Sequence, residues 1–337
     1  MIRLDQRFVS CCIAAITSVG TITAQAEESV MSKSKTLCFG RFLIDLPEGV
    51  HIKELGQQAT IMYGEIRSES LSGGVEAFTK KMAARELDAR KGKNPNNYQF
   101  FDVKNTAVLN TRIFISSDNV FGRKLFRVEM YHWDDGILFS FAQGPYNDRT
   151  INEMVQGLET DLIAHLRPRA QDEVPTEPGF CFKDGFVAND GVEEHFEEAR
   201  IKFNLKEWPD VWVSVFSQTV PQAGDNSLLQ RLDKHPDSPL EKAMVKTLRR
   251  GKHEVRGFKG EEILEVIPTE DGIKQQSFTW EAVGAIKSIF TPRLRVDFET
   301  ARPLDGKPRR SSLTDEQAMK LYDSIVNSIR LRPTMPK

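Results

Sequence analysis

The densest group of chemistry-bearing side chains is Glu193, Glu194, His195, Glu197 and Glu198. Carboxylates and an imidazole packed this closely could hold a cation through oxygen and nitrogen ligands. The same run also reads as a solvated acidic face leading into the strand at Ile201, or as an acidic patch that steers a basic partner surface. A hydrolase built on these carboxylates would need two of them to converge in a cleft. The six histidines, His51, His132, His165, His195, His235 and His253, share no spacing and suit surface or helix-end positions better than a general base.

No other motif of catalysis accompanies the cluster. The chain has no Gly-x-Ser-x-Gly elbow, no phosphate-binding P-loop, no dinucleotide glycine fingerprint and no His-Glu-x-x-His pair. Gly257-Phe258-Lys259-Gly260 lacks the remaining phosphate-loop residues and reads as a plain turn. Cys38 and Cys181 lie far apart, which excludes paired-cysteine zinc sites. They suit either a disulfide, if their Cα atoms approach within ~7 Å, or two buried apolar thiols. Trp208 and Trp212 flank Pro209-Asp210 at a strand start, where they either cover the sheet or serve as interface anchors. Leu304 to Ser312, with Lys307, Arg309 and Arg310, reads as a loop that offers a positive contact point. No catalytic, cofactor or metal set is expected.

The elements that position these residues come in two copies. The first opens at Leu37-Cys38-Phe39-Gly40-Arg41-Phe42-Leu43-Ile44-Asp45-Leu46-Pro47, and the second at Gly179-Phe180-Cys181-Phe182-Lys183-Asp184-Gly185-Phe186-Val187. Toward the far end of each copy stands a capping box, Thr150-Ile151-Asn152-Glu153 and Thr314-Asp315-Glu316-Gln317. Helical stripes follow at Ile151, Met154, Val155, Leu158 and Leu162, and at Ala318, Leu321, Tyr322, Ile325 and Ile329. Both helices run into Leu-Arg-Pro, at residues 166–168 and 331–333. Between the copies, 169–178 carries two prolines and no periodicity, as a linker would.

Within each copy, strands alternate apolar and polar residues. Examples are Phe126, Val128 and Met130 before the hairpin turn at Asp135-Gly136, Ile201, Phe203 and Leu205, and Leu294, Val296 and Phe298. Val75, Phe78 and Met82 mark a helix in the first copy. Ser238-Pro239-Leu240-Glu241 starts one in the second, with Gly251 as its expected stop. The expected fold is α+β: two tandem similar lobes at 35–168 and 179–333, each a curved antiparallel sheet with about two helices packed on one face.

The 337 residues include 39% hydrophobic and 28% charged side chains, with a net charge of -2. That balance supports a sizeable core and gives no basic excess for nucleic acid. Arg3 and Arg7, an uncharged run to Ala26 and the small-x-small site Ala24-Gln25-Ala26 read as a secretory signal peptide over 1–26. That run is diluted by Ser10, Thr17, Ser18 and Gly20, which favours a cleaved signal over a retained anchor, and no later segment approaches a transmembrane span, so stable membrane insertion after signal removal is not expected.

The strand starts at Cys38 to Pro47 and Gly179 to Gly185, together with the signal, resemble type VI secretion immunity proteins. More narrowly, they are similar to the immunity partners of the fourth class of type VI lipase effectors. The resemblance implies a periplasmic, non-catalytic protein that binds a cognate secreted phospholipase and occludes its active-site entrance or lid. An envelope assembly or scaffold protein that binds a cell-wall or secretion component is the alternative. Candidate contact residues are Trp208, Trp212, Glu193, Glu194, Glu197 and Glu198.

Overall fold

A computed structural model describes residues 34–334, apart from 95–96, 192–194, 223–225, 235–237, 239–242, 270 and 304–305. The signal segment and the start of the helix expected at Pro239 lie outside the described residues.

The first copy runs β1 (Ser34–Phe39), β2 (Phe42–Pro47), β3 (Val50–Ile61), β4 (Gly64–Ser70), α1 (Gly74–Arg90), β5 (Gln99–Asn105), β6 (Thr111–Val120), β7 (Arg123–Asp134), β8 (Ile137–Tyr146), α2 (Thr150–Gly157) and β9 (Leu166–Pro168). The second runs β10 (Gly179–Phe182), β11 (Gly185–Ala188), β12 (Glu197–Leu205), β13 (Trp212–Gln218), α3 (Leu228–Lys234), β14 (Lys246–Val255), β15 (Phe258–Pro268), β16 (Lys274–Ala282), β17 (Arg293–Glu299), α4 (Asp315–Ser328) and β18 (Arg330–Leu331).

Twelve of these strands form one antiparallel sheet in the order β14-β15-β16-β17-β13-β12-β3-β4-β8-β7-β6-β5. Counted outward from the β3–β12 junction, each copy contributes strands in the same sequence of roles, which is the topological mark of duplication. Across that junction Glu197 faces Ile61 and Leu205 faces Val50, with a bulge between Ile201 and Phe203.

The seam corrects the expectation of two lobes joined only by a linker. Two duplicated sheets that met edge to edge would each leave a row of unpaired amides and carbonyls, and pairing them removes both edges. One apolar core follows the shared sheet through both halves. It holds Phe42, Phe139, Phe141, Phe203, Phe278, Phe298, Trp280 and Tyr322 among others. Full burial of each such side chain contributes about 1.5–3 kcal/mol relative to exposure.

Two small sheets cap this core, and they exchange strands. β9 of the first copy pairs with β11 of the second, while β18 of the second pairs with β2 of the first. Both Leu-Arg-Pro segments therefore leave their helices as strands that close the other copy's hairpin. The two hairpins also touch directly: Gly40 and Cys181 exchange backbone hydrogen bonds of 2.8 Å. Gly40 sits at φ +52°, and a Cβ there would come within 3.2 Å of that of Ala199, so glycine meets both demands. Cys38 and Cys181 are joined in a disulfide with Cα atoms 5.9 Å apart.

The helices take opposite faces. α2, with the π-helical turn Leu158–Leu162 that follows it, and α4 pack on the hairpin side, through Ile151, Leu158, Leu162, Leu321 and Ile325. α1 lies on the other face, where Phe78 and Met82 meet Phe114 and Leu138. α3 also lies there, its Leu229 amide donating to Glu261 of β15 at 2.9 Å. The expected helix pair on one face is thus one helix on each face.

Local expectations divide similarly. Thr314 caps α4 in a full capping box with Gln317. Thr150 instead lies inside α2, and the Asn147 side chain accepts from the Arg149 and Thr150 amides at 2.9 and 3.2 Å, so an upstream residue takes the capping role. Gly251 does not end a helix: Lys246–Val255 is the edge strand β14, paired along β15. Its lysine and arginine content, which obscured the alternation, suits an exposed sheet edge. Gly257 follows Arg256 in the tight β14–β15 turn, both at positive φ.

Candidate partner-binding site

The face opposite the hairpins is only partly covered. α1 lies over the outer strands of the first half and α3 over β15 and β16, leaving a trough between them. Its floor is the outward-facing side chains of β17, β13, β12, β3, β4, β8 and β7. In the second half it is a groove of about 490 Å³ lined by Arg200, Lys202, Trp212, Phe216, Arg293 and Arg295. On the same face of the first half lies a second groove of about 510 Å³, where Arg67, Arg85, Arg127 and Tyr131 meet Glu65 and Glu129.

Period-two alternation creates this floor. Along β12, Ala199, Ile201 and Phe203 enter the core, which sends Arg200 and Lys202 to the trough. The Arg200 guanidinium stacks 4.8 Å from the Phe216 ring centroid, and among the described residues its Nε has no hydrogen-bond partner. Farther along the same face, on β16, the buried Glu281 carboxylate is met by Arg231 at 2.9 Å, Arg293 at 3.0 Å and Arg295 at 3.3 Å. Burial pushes the Glu281 carboxyl upward, but hydrogen bonds from Arg231 and Arg293 outweigh it and hold the pKa below the usual range. Arginines and aromatics at such a site are the residue types that dominate protein interfaces.

The candidate contact residues scatter. Trp212 is half-buried and lines the trough. Trp208 packs against the main core, in the covering role. Glu193 and Glu194 lie outside the described residues. Glu197 and Glu198 are neighbours on β12, so they point to opposite faces. Glu198 accepts from Gln218 at 2.8 Å.

Glu197 corrects the acidic-patch reading. It is 5% exposed and accepts from Arg41 Nε and Nη2 at 2.8 and 2.7 Å, so no partner reaches it. Arg41, 156 positions earlier in the chain, signalled nothing in the sequence, because a buried charge is recognisable only once its partner is placed. Arg332 was missed for the same reason. Its guanidinium donates to the carbonyls of Pro175, Glu177 and Gly179, and burial lowers its pKa to about 10. Arg332 thereby fastens the connector between the copies. The loop ending at Ser312 is likewise tethered, since the Ser312 amide donates to buried Asp210 at 3.1 Å.

Among the described residues, no three His, Cys, Asp or Glu side chains come together as metal ligands would. None of their helices is long and apolar enough to cross a membrane.

The two halves match two domains of one family. Residues 35–156 match the Tle cognate immunity protein 4 N-terminal domain, and 173–334 match its C-terminal domain. The chain belongs to the Tle cognate immunity protein 4 family. It is an immunity protein of the type VI secretion system and an inhibitor rather than an enzyme. The crystal structure of the Tle4–Tli4 complex is similar with TM-score 0.76 at 27% identity, covering 90% of this chain and 98% of that one. The immunity protein TplEi of the type VI secretion system of Pseudomonas aeruginosa, in its apo form, gives 0.75 at 27% identity over 91% and 100%. TplEi complexed with the "L" peptide gives 0.73 at 27% identity over 90% and 99%. No curated protein matches the chain in sequence.

Proposed function

We propose that this protein, exported through a signal peptide over 1–26, acts in the periplasm. There it binds a cognate type VI secreted lipase effector and blocks its active-site entrance or lid. The observation that carries the reading is the trough, an uncovered stretch of an otherwise covered sheet, floored by Trp212, Phe216 and Arg200. The complex of a similar immunity protein with Tle4 supports the partner class. The buried disulfide suits an oxidising compartment.

In this reading, 35–168 and 179–333 are the two domains and 169–178 joins them, fastened by Arg332. Because they share a sheet, they hold the effector as one rigid surface, and little ordering entropy opposes association. Inhibition without reactive groups is stoichiometric: one bound immunity protein silences one lipase.

Equimolar protein should abolish lipid hydrolysis by the effector encoded beside it. The absence of a complex at micromolar concentration would overturn the proposal. Replacing Trp212 by Ala together with Arg200 by Glu should weaken the complex at least ~30-fold, as expected for an interface anchor, without unfolding the protein. Unchanged affinity would move the interface off the trough.

A further inference from the structure

We propose that Phe121, at the apex of the β6–β7 hairpin, is an anchor that inserts into the apolar substrate opening of the lipase effector. The inference rests on the partner class given above and adds a specific contact residue.

Val120 pairs with Arg123, so Phe121 and Gly122 form a two-residue turn, with φ of +49° and +76°. Such turns favour Asn-Gly or Asp-Gly, because both central residues enter the left-handed region. The opposite end of β7 follows that preference with Asp135-Gly136. At Phe121 a bulky aromatic takes the strained position while 101% exposed. Among the described residues no ring or cation packs on Phe121, so the chain itself gives this exposed ring no apolar partner.

The position of Phe121 agrees. In the sheet register, its apex lies at the same strand end as the β3–β4 turn and the loop before β17. The β3–β4 turn presents Tyr63, at φ +64° and 63% exposed, held in place by stacking 4.6 Å from Phe196. The loop before β17 presents Phe290, which covers the Arg41 guanidinium at 5.5 Å. At ~4.8 Å per strand the three apices span about 34 Å along one rim. Arg293 begins a strand at this end and also lines the trough, so the rim continues the proposed binding face.

A lipase must admit acyl chains through an apolar opening, and a single projecting aromatic on a rigid hairpin is complementary to it. An anionic bilayer fits less well. Asp118 precedes the Phe121 apex while Arg123 and Lys124 follow it, so the apex is of mixed charge rather than basic.

The test is Phe121→Asn, which installs the residue the turn prefers. The variant should melt no lower than the parent, yet bind the effector at least ~30-fold more weakly and leave lipid hydrolysis measurable at equimolar dose. Phe121→Trp should inhibit as the parent does. If Phe121→Asn inhibits like the parent, the anchor is refuted while the proposed function stands. If the parent itself fails to inhibit, both fall. Parent-only binding to vesicles of phosphatidylethanolamine and phosphatidylglycerol, with inhibition unchanged in the variant, would assign Phe121 to the membrane and also overturn the proposal.

Discussion

Reduction of the Cys38–Cys181 bridge tests how the two halves are held. The cysteines are 143 positions apart, so the closed loop contains most of the first half and the connector. In the chain-entropy model, a loop of that length contributes about 5 kcal/mol by restricting the unfolded chain. Both sulfurs are buried beside Leu43 and Phe186, and the free thiols would remain packed there as small apolar groups. Reduction of the native protein therefore isolates the unfolded-state effect, whereas Cys38→Ala with Cys181→Ala adds the cost of two small voids. Guanidinium unfolding with and without reductant should show a free-energy loss of about 5 kcal/mol. It should also give a steeper denaturant dependence, because the unreduced chain unfolds to a more compact ensemble. Unfolding should stay a single transition in both states, since the core spans both halves. A loss below about 1 kcal/mol would show that residual structure or strain cancels the loop effect. Two separate transitions would refute the shared core itself.

Other outcomes follow from the same geometry. Glu197→Leu or Arg41→Met alone should each cost about 3–5 kcal/mol, because one partner of a buried bidentate pair is left behind. The Arg41→Met, Glu197→Leu double variant should recover most of that loss in a double-mutant cycle, and strict additivity would argue against a coupled pair. Stability should fall with acidification in two stages, measured as urea midpoints from pH 7 to pH 3. Burial depresses the His132 pKa, so the unfolded state takes up that proton first and stability begins to fall as pH drops below about 6.5. Asp45 and Glu281 are held below their normal values by Arg330 and by Arg231 with Arg293, despite the opposing effect of burial. Their contributions are complete above about pH 4.5 and are lost as pH falls through their folded values. Glu281→Gln should flatten the second stage, and an unchanged profile would exclude Glu281 from it.

Much of the fold is legible in the sequence because it rests on local rules. The alternation in β7, β12 and β17 identifies strands and their buried faces, the Asp135-Gly136 turn identifies a hairpin, and Thr314 with Gln317 identifies the start of α4. The repeated Cys-Phe openings and Leu-Arg-Pro endings reveal the duplication and carry the family resemblance. Where the local signal was ambiguous, tertiary pairing prevailed: Lys246 to Gly251 falls inside the helix expected from Ser238 but belongs to the edge strand β14, and Thr150 yields the cap to Asn147.

The candidate site was less legible. Trp212 was named for its residue type, but Phe216, Arg200 and Phe121 were not, because an interface is defined by what is left uncovered. Periodicity states that one face of a strand is buried without saying what buries it. The sequence by itself determined several of the strands, three of the helices, the duplicated plan and the kind of protein. Only the tertiary structure decided that the halves share one sheet, exchange their last strands, join Cys38 to Cys181 and conceal Glu197 beneath Arg41. Apart from the nearby β9–β11 pairing, those outcomes depend on groups brought together from more than a hundred positions apart, and no local pattern records such a meeting.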